Sequence, residues 1–144
     1  MAFTVLLLAC GDELTDVDPL PAGNGYRDAP WTLHPDSPFT RRIGGHPPGS
    51  RYIYYNDLPL FPLPEEPGFA QDGAVVVKEV YDEDEALSYI AVMRRLPEHA
   101  QAAEDGWVYS LSRDNGKTET VYELCETCHI DPLSIGSLWA PPPR

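Results

Sequence analysis

Short runs of apolar residues, separated by proline and glycine, dominate the pattern of this chain. Residues 51–56 are dense in β-forming side chains, and residues 73–81 form the clearest run, apolar on both faces. Residues 106–112 make a third run, and residues 118–122 return after the turn signal Asn115-Gly116. Such runs bounded by turn residues are typical of strands, and Asn-Gly is typical of a hairpin. The pattern therefore predicts a mainly antiparallel sheet.

One stretch predicts a helix. Asp82 followed by Glu85 resembles a helix start, with acids at the positive end of the helix dipole, and Pro97 would end the helix near residue 96. Apolar residues of this stretch fall on one helical side: Ala86, Ile90 and Met93. A second, short helix is predicted near Ser37. Together with the strands, this gives an α+β fold, a mainly antiparallel β-sheet with a few helices.

Composition narrows the class of protein. The 144 residues are 42% hydrophobic, enough for the core of one domain, but 16 of them are prolines, which disfavour a bundle of long helices. Acidic residues outnumber basic ones by 23 to 10, for a net charge of −13. Because binding a phosphate backbone requires a basic face, nucleic acid is not expected as a partner.

The first residues resemble an export signal. Residues 1–10 are apolar and end in Leu-Leu-Ala-Cys, which looks like a bacterial lipobox with Cys10 as the lipid-bearing residue. Residues 11–30, rich in Asp, Gly and Pro, are predicted to form a flexible acidic tether. We therefore expect a lipoprotein anchored to the membrane, in the bacterial periplasm or at the cell surface. The alternative is a buried N-terminal strand with a core cysteine.

Near the other end, the sequence Cys125-Glu126-Thr127-Cys128-His129 is the attachment signature of c-type haem. Two thiols at this spacing can add to the two vinyl groups of one porphyrin, and the adjacent histidine then binds the iron. A redox dithiol, a zinc site and a strained disulfide are the alternatives, but no βαβ pattern or matching histidine spacing accompanies the motif. The predicted cofactor is one covalently bound haem, with His129 as the iron ligand.

The order of these pieces resembles the cytochrome P-460 family and its relative cytochrome c′-beta. The similar parts are the Tyr-rich strand ending in Asn56, residues 71–79, the strand with Trp107-Val108-Tyr109, and the closing haem motif. They place a haem domain at residues 31–140. The resemblance implies a β-rich homodimer with one haem per subunit and five-coordinate iron open to nitric oxide or hydroxylamine. In enzymatic members a lysine is also bonded to the porphyrin edge, and Lys78 matches it.

The environment predicted for Lys78 suits such a bond. On a strand, Lys78 shares a face with Ala74, Val76 and Val80, so its amine loses hydration and the neutral form is favoured. A neutral amine is the form that can attack an oxidised macrocycle. The alternative is a lysine that reaches water or a haem propionate.

The distal side departs from the hydroxylamine oxidases of the family, which carry a carboxylate on the segment matching the predicted helix. Here Ile90, Ala91 and Met93 occupy it, and Ile90 and Met93 are expected to line the haem pocket. Because oxidation needs a proton acceptor, we expect binding of small nitrogen species to be favoured over oxidation, and enzymatic activity stays an open question. The alternative function is a low-spin periplasmic electron-transfer cytochrome c, with Met93 on the iron and a redox partner protein.

Overall fold

The computed structural model describes residues 12–40, 48–57, 71–104, 106–122 and Cys125. Six strands pair in chain order into one sheet, and every neighbouring pair is antiparallel. The strands are β1 (Thr32–Leu33), β2 (Arg51–Tyr55), β3 (Val75–Tyr81), β4 (Leu87–Arg95), β5 (Trp107–Ser112) and β6 (Thr120–Val121). The prediction of a mainly antiparallel sheet is confirmed, and the predicted strands correspond to β2, β3, β5 and β6.

The helix predicted over residues 82–96 is wrong, because this segment is a tight turn followed by β4. The Asp82 carboxylate accepts hydrogen bonds from the backbone N–H groups of Asp84 and Ala86, at 3.0 and 2.9 Å. Glu85 adopts a left-handed backbone with φ of 61°. A side chain that accepts from nearby N–H groups stabilises a turn as readily as a helix start. The strand then pairs with β3 on one side and β5 on the other, which a helix could not do.

A short 3₁₀ helix is described in full at Ala22–Arg27, and Cys125 is also helical. The segment around Ser37, predicted to begin a helix, forms turns instead. There the backbone N–H of Asp36 donates to the ring Nδ1 of His34, at 3.2 Å. The ring thereby stabilises a turn over these residues, which does not continue into a helix.

Side chains alternate along each strand and directly paired residues share a face, so the sheet has two distinct faces. Both faces carry buried residues. The first face carries Ile53, Ala74, Val76, Met93, Trp107 and Tyr109. The second face carries Tyr54, Val75, Val77, Ile90 and Val92, covered by Leu20 and Tyr26 of the preceding segment. Apolar side chains on both faces of β3 fit a strand that is buried on both sides.

Parts of the segment predicted as a flexible tether, residues 11–30, pack onto the domain, as the described residues 12–30 show. The backbone N–H of Leu14 donates to the carbonyl oxygen of Glu119 beside β6, at 2.8 Å. Leu14 and Leu20 are buried, and Tyr26 is 1% exposed. These apolar residues have no helical or strand period, so the sequence pattern did not reveal them. Leu20 and Tyr26 cover part of the second face, and the link from this segment to a lipid stays a prediction.

The hairpin between β5 and β6 follows the predicted turn signal. Asn115 and Gly116 both have positive φ, 63° and 82°, within the connection between the paired residues Leu111 and Thr120. The Asp114 carboxylate accepts hydrogen bonds from the N–H groups of Lys117 and Thr118 and from two hydroxyl groups. These donors hold the pKa of Asp114 well below its usual range.

A buried ion pair ties β4 to β6. The Arg94 guanidinium meets Glu119 through two nitrogens, with an Nη2–Oε1 distance of 2.5 Å, and both side chains are about 5% exposed. The Ser110 hydroxyl donates to Oε2 of Glu119 at 2.7 Å. Burial removes these charges from water, so each partner is needed to compensate the other.

Glu119→Ala should therefore lower the free energy of unfolding by about 3–5 kcal/mol, because it leaves a buried guanidinium without its partner. Urea unfolding monitored by circular dichroism measures the loss. Asp72→Ala is the control: its carboxylate lies 3.9 Å from Arg95 Nε and is 72% exposed. It should change stability by less than about 1 kcal/mol. Equal losses in the two variants would contradict the role given to the buried pair.

Candidate functional site

The structure brings two of the predicted site residues, Cys125 and Lys78, to the same side of the sheet. Cys125 is half-buried and packs against the first-face cluster that includes Met93 and Trp107. Its backbone N–H donates to the carbonyl oxygen of Tyr122, just after β6, at 3.1 Å. The first cysteine of the haem motif is therefore positioned by the end of the last hairpin.

Lys78 lies in the centre of the first face. It pairs with Ile53 of β2 and with Ala91 of β4, and its side chain is half-buried between them. The pKa of Lys78 is lowered to about 8, chiefly by burial, with Cys125 opposing the shift and the Arg51 guanidinium adding to it. The predicted face and the predicted loss of hydration are both confirmed. A larger fraction of neutral amine is present near neutral pH than at an exposed lysine.

Two further polar side chains belong to this group, and sequence reasoning missed both. Arg51 is buried at the start of β2, and its positive charge contributes to the lowered pKa of Lys78. Tyr89 is half-buried, and its phenol pKa is raised by burial and then by Cys125. Because Tyr89 pairs with Val80, it shares the face of Lys78. Reading residues 87–95 with a period of two would have placed Tyr89 there.

The two predicted pocket residues on this segment point to opposite faces. Met93 lies on the first face, 8% exposed, in the cluster that Cys125 contacts. Ile90 is fully buried on the second face with Val77 and Val92, away from Lys78. The prediction that Ile90 and Met93 line one pocket is corrected, since it depended on a helical period for a segment that is a strand. The residue of β4 that lies beside Lys78 on the first face is Ala91 and not Ile90.

Carboxylates are absent from the first face among the strand residues that the structure describes. The residues there, from β2 to β5, are Arg51, Ile53, Tyr55, Val76, Lys78, Val80, Tyr89, Ala91, Met93, Arg95, Trp107, Tyr109 and Leu111. The two buried acids, Glu79 and Glu119, interact with partners on the second face. The group around Lys78 is thus cationic and phenolic, without an acid on the strands beside it.

A separate cleft of about 800 Å³ lies between residues 16–21 and the β3–β4 end of the sheet. His99 Nε2 and Asp16 Oδ1 approach to 3.0 Å across it, which lowers the pKa of Asp16. Arg95 and Asp72 also line this cleft, but Lys78 and Cys125 do not. Within the described ranges, no group of three or more His, Cys, Asp or Glu side chains could hold a metal ion.

Three predicted residues, Cys10, Cys128 and His129, lie outside the described residues. Lipid attachment at Cys10, both thioether bonds and the iron ligand stay predictions. Of the helical segments described, none is long and apolar enough to cross a membrane. Comparison of the chain with protein-family models, with curated proteins and with solved structures finds no match.

The lowered pKa of Lys78 has a consequence for stability. Between about pH 8 and 10.5 the unfolded chain holds a proton on this amine that the folded chain has released, so stability rises with pH there. In the haem-free chain, Lys78→Met should therefore be more stable than wild type at pH 7, by at most about 3 kcal/mol. The advantage should shrink as pH rises through that window, as followed by urea unfolding.

Lys117→Met is the matched control, because Lys117 is exposed in the β5–β6 turn. It should leave the pH dependence of unfolding unchanged. A Lys78→Met variant whose stability parallels wild type at every pH would show that the amine in β3 stays fully hydrated.

Proposed function

We propose that this chain is a c-type monohaem protein of the cytochrome P-460 type. In this proposal it binds small nitrogen species such as nitric oxide at an open iron site, with binding favoured over oxidation. In the motif Cys125-Glu126-Thr127-Cys128-His129, the two cysteines would hold the haem and His129 would bind the iron. Lipid on Cys10 would keep the protein at the membrane.

The observation that carries the proposal is the position of Cys125 against the first face, beside Lys78. A covalently held porphyrin needs a thiol next to a broad apolar surface, and this cysteine contacts a cluster containing Met93, Trp107 and Tyr109. Aromatic and aliphatic side chains of this kind supply the dry surroundings that haem requires. When bound, the haem supplies an iron that takes small ligands and exchanges electrons.

Lys78 supports the P-460 type over an ordinary c-type cytochrome. Its amine is held among apolar neighbours on the face that Cys125 contacts, and its lowered pKa increases the neutral, nucleophilic form. The positive charge of Arg51 also disfavours protonation of Lys78. Lys78 is therefore proposed as the residue that contacts the porphyrin edge.

The composition of the first face favours binding over oxidation. Removing protons from hydroxylamine needs a base within hydrogen-bond reach of the bound nitrogen. The strand residues around Lys78 offer Tyr89, Ala91 and Met93, of which only the phenol titrates, and burial raises its pKa. A phenol that stays protonated donates hydrogen bonds but is a poor base near neutral pH.

The second candidate is a low-spin electron-transfer cytochrome, and one observation favours it. Met93 is buried in the same cluster that Cys125 contacts, so its thioether lies on the face proposed for haem. A methionine opposite a histidine ligand is a common pairing in electron carriers. It would close the site to nitric oxide.

The visible spectrum of the ferrous holoprotein, before and after nitric oxide is added, separates these functions. We expect a high-spin, five-coordinate spectrum that changes on addition, with a far-red-shifted Soret band if Lys78 is bonded to the porphyrin. Lys78→Arg should abolish that shift and keep the haem. A low-spin, six-coordinate spectrum before addition would contradict the proposal, and its loss in Met93→Leu would establish the electron-transfer alternative.

A carboxylate introduced on the first face should increase hydroxylamine oxidation. Ala91→Glu places an acid directly across from Lys78, where general base catalysis could contribute up to about 10²–10⁴-fold. Steady-state turnover with an electron acceptor measures the gain in the variant that retains haem. Ser88→Glu, exposed on the same strand, is the control and should give no gain. Wild-type turnover that Ala91→Glu does not improve would show that a base is already present.

A further inference from the structure

The cleft of about 800 Å³ at the β3–β4 end of the sheet has no part in the proposed function. Its inner surface includes Leu20 and Val75, which are buried members of the second-face cluster. Trp31 packs against the same cluster, is half-buried and also lines the cleft. A concave site of this size with an apolar interior is typical of sites that bind small molecules.

Charged side chains surround this apolar interior, and negative charge is in excess among them. The basic side chains of the lining are each paired with a carboxylate, as Arg94–Glu119, Arg95–Asp72 and His99–Asp16. Two further carboxylates of the lining, Asp18 and Glu98, are exposed and form no ion pair with the residues that the structure describes. A ligand in the cleft therefore meets two carboxylates whose charge no described base compensates.

The indole ring of Trp31 provides a second attraction for positive charge. The ring contacts Tyr26 at an interplanar angle of 60°, with centroids 6.1 Å apart, and this contact fixes it beside the cleft. A cation over the face of an indole ring is attracted by the quadrupole of the ring, and tryptophan is the best aromatic side chain for this interaction. The ring is independent of the carboxylates, and both favour a ligand of the same charge.

Contacts within the chain hold one wall of the cleft, residues 16–21, in place. The Nδ1 atom of His99 accepts a hydrogen bond from the backbone N–H of Gln101 at 3.1 Å. The neutral ring therefore carries its proton on Nε2 and donates it to Oδ1 of Asp16 at 3.0 Å. Leu20, 6% exposed, anchors the other end of this wall. Because these contacts preform the site, binding requires little ordering of the chain.

We propose that this cleft binds an amphipathic organic cation, a primary ammonium group on an apolar body the size of one aromatic ring. The apolar body lies on Leu20, Val75 and Trp31, and the ammonium group faces the exposed carboxylates of Asp18 and Glu98. An ammonium group has three hydrogen-bond donors and no acceptor, which suits carboxylate partners. A ligand with a carboxylate in the same place is repelled by both acids.

The test is isothermal titration calorimetry of the full-length protein with phenethylammonium, phenethyl alcohol and hydrocinnamate. These three probes share one phenethyl group and differ in charge. We expect the ammonium compound to bind about three- to tenfold more tightly than the alcohol, because each exposed carboxylate contributes at most about fivefold. The carboxylate compound should bind most weakly, and added salt should reduce the differences. Equal affinity for all three, or no binding of the ammonium compound at about 10 mM, would overturn the proposal.

Amide variants locate the site. The double variant Asp18→Asn/Glu98→Gln should lose the preference for the ammonium compound over the alcohol, and it removes only exposed charges. The matched control is Glu83→Gln/Asp84→Asn, which changes the net charge equally in the exposed turn at the opposite end of β3 and β4. The control should keep the preference. An equal loss in both double variants would mean that only the net charge of the protein attracts the cation, which contradicts a site in the cleft.

A variant of Trp31 tests the contribution of the ring. Trp31→Leu keeps an apolar side chain, so it should weaken binding of the ammonium compound about two- to fivefold and binding of the alcohol less. Equal weakening of both compounds would contradict the contribution of the ring. If circular dichroism shows that Trp31→Leu does not fold, the two double variants decide the proposal.

This inference and the proposed function fail independently, because neither Lys78 nor Cys125 lines the cleft. A haem-containing protein that does not discriminate among the three compounds contradicts the cation site alone. Selective binding of the ammonium compound by a chain that carries no haem contradicts the proposed function alone.

Discussion

Successive side chains of a strand point to opposite faces of the sheet, and in β3 this rule separates two consecutive ionisable residues. Lys78 enters the first face among apolar neighbours, whereas Glu79 enters the second face. A shift of the β3 register by one residue would exchange them. The chemistry proposed for Lys78 depends on this register, which the pairing with β2 and β4 fixes at Lys78 and Glu79.

Buried charges are compensated differently on the two faces of the sheet. On the second face, the side chains of Glu79 and Glu119 are each compensated by an arginine and by hydroxyl donors. On the first face, burial lowers the pKa of the Lys78 amine, and the like charge of Arg51 adds to this shift. Compensated acids stabilise the fold, while a poorly hydrated amine is a reactive group. The same sheet thus supports a structural network and a nucleophile.

The sequence predicted those features of the fold that depend on the pattern of a few neighbouring residues. The strand at residues 73–81, its alternation around Lys78 and the Asn115-Gly116 hairpin are visible in a few consecutive residues, and all are confirmed. The segment after Asp82 was not predicted, because Ile90 and Met93 fit a helical spacing while Ala91 and Met93 fit a strand equally well. Only pairing with β3 and β5 decides between them. Arg51 and Tyr89 were missed for the same reason, since strand pairing alone brings them to Lys78.

The residues that cover the second face also could not be predicted from the local sequence pattern. Leu14, Leu20 and Tyr26 are spaced irregularly in an acidic, proline-rich segment that reads as a linker. The burial of Leu20 and Tyr26 follows from the apolar surface that β3 and β4 leave to be covered. The partners of Glu79 could not be found without that contact, because Tyr26 and Arg27 lie about fifty residues earlier in the chain.

The covalent haem beside Lys78 is the central claim, and mass spectrometry tests it most directly. The chain would be produced in a bacterium that attaches haem to exported proteins and measured intact under denaturing conditions, alongside a Cys125→Ser/Cys128→Ser variant. The expected result is one haem added to the wild-type polypeptide and none to the variant. A wild-type chain that emerges without added haem from a host that matures other c-type cytochromes would contradict the claim.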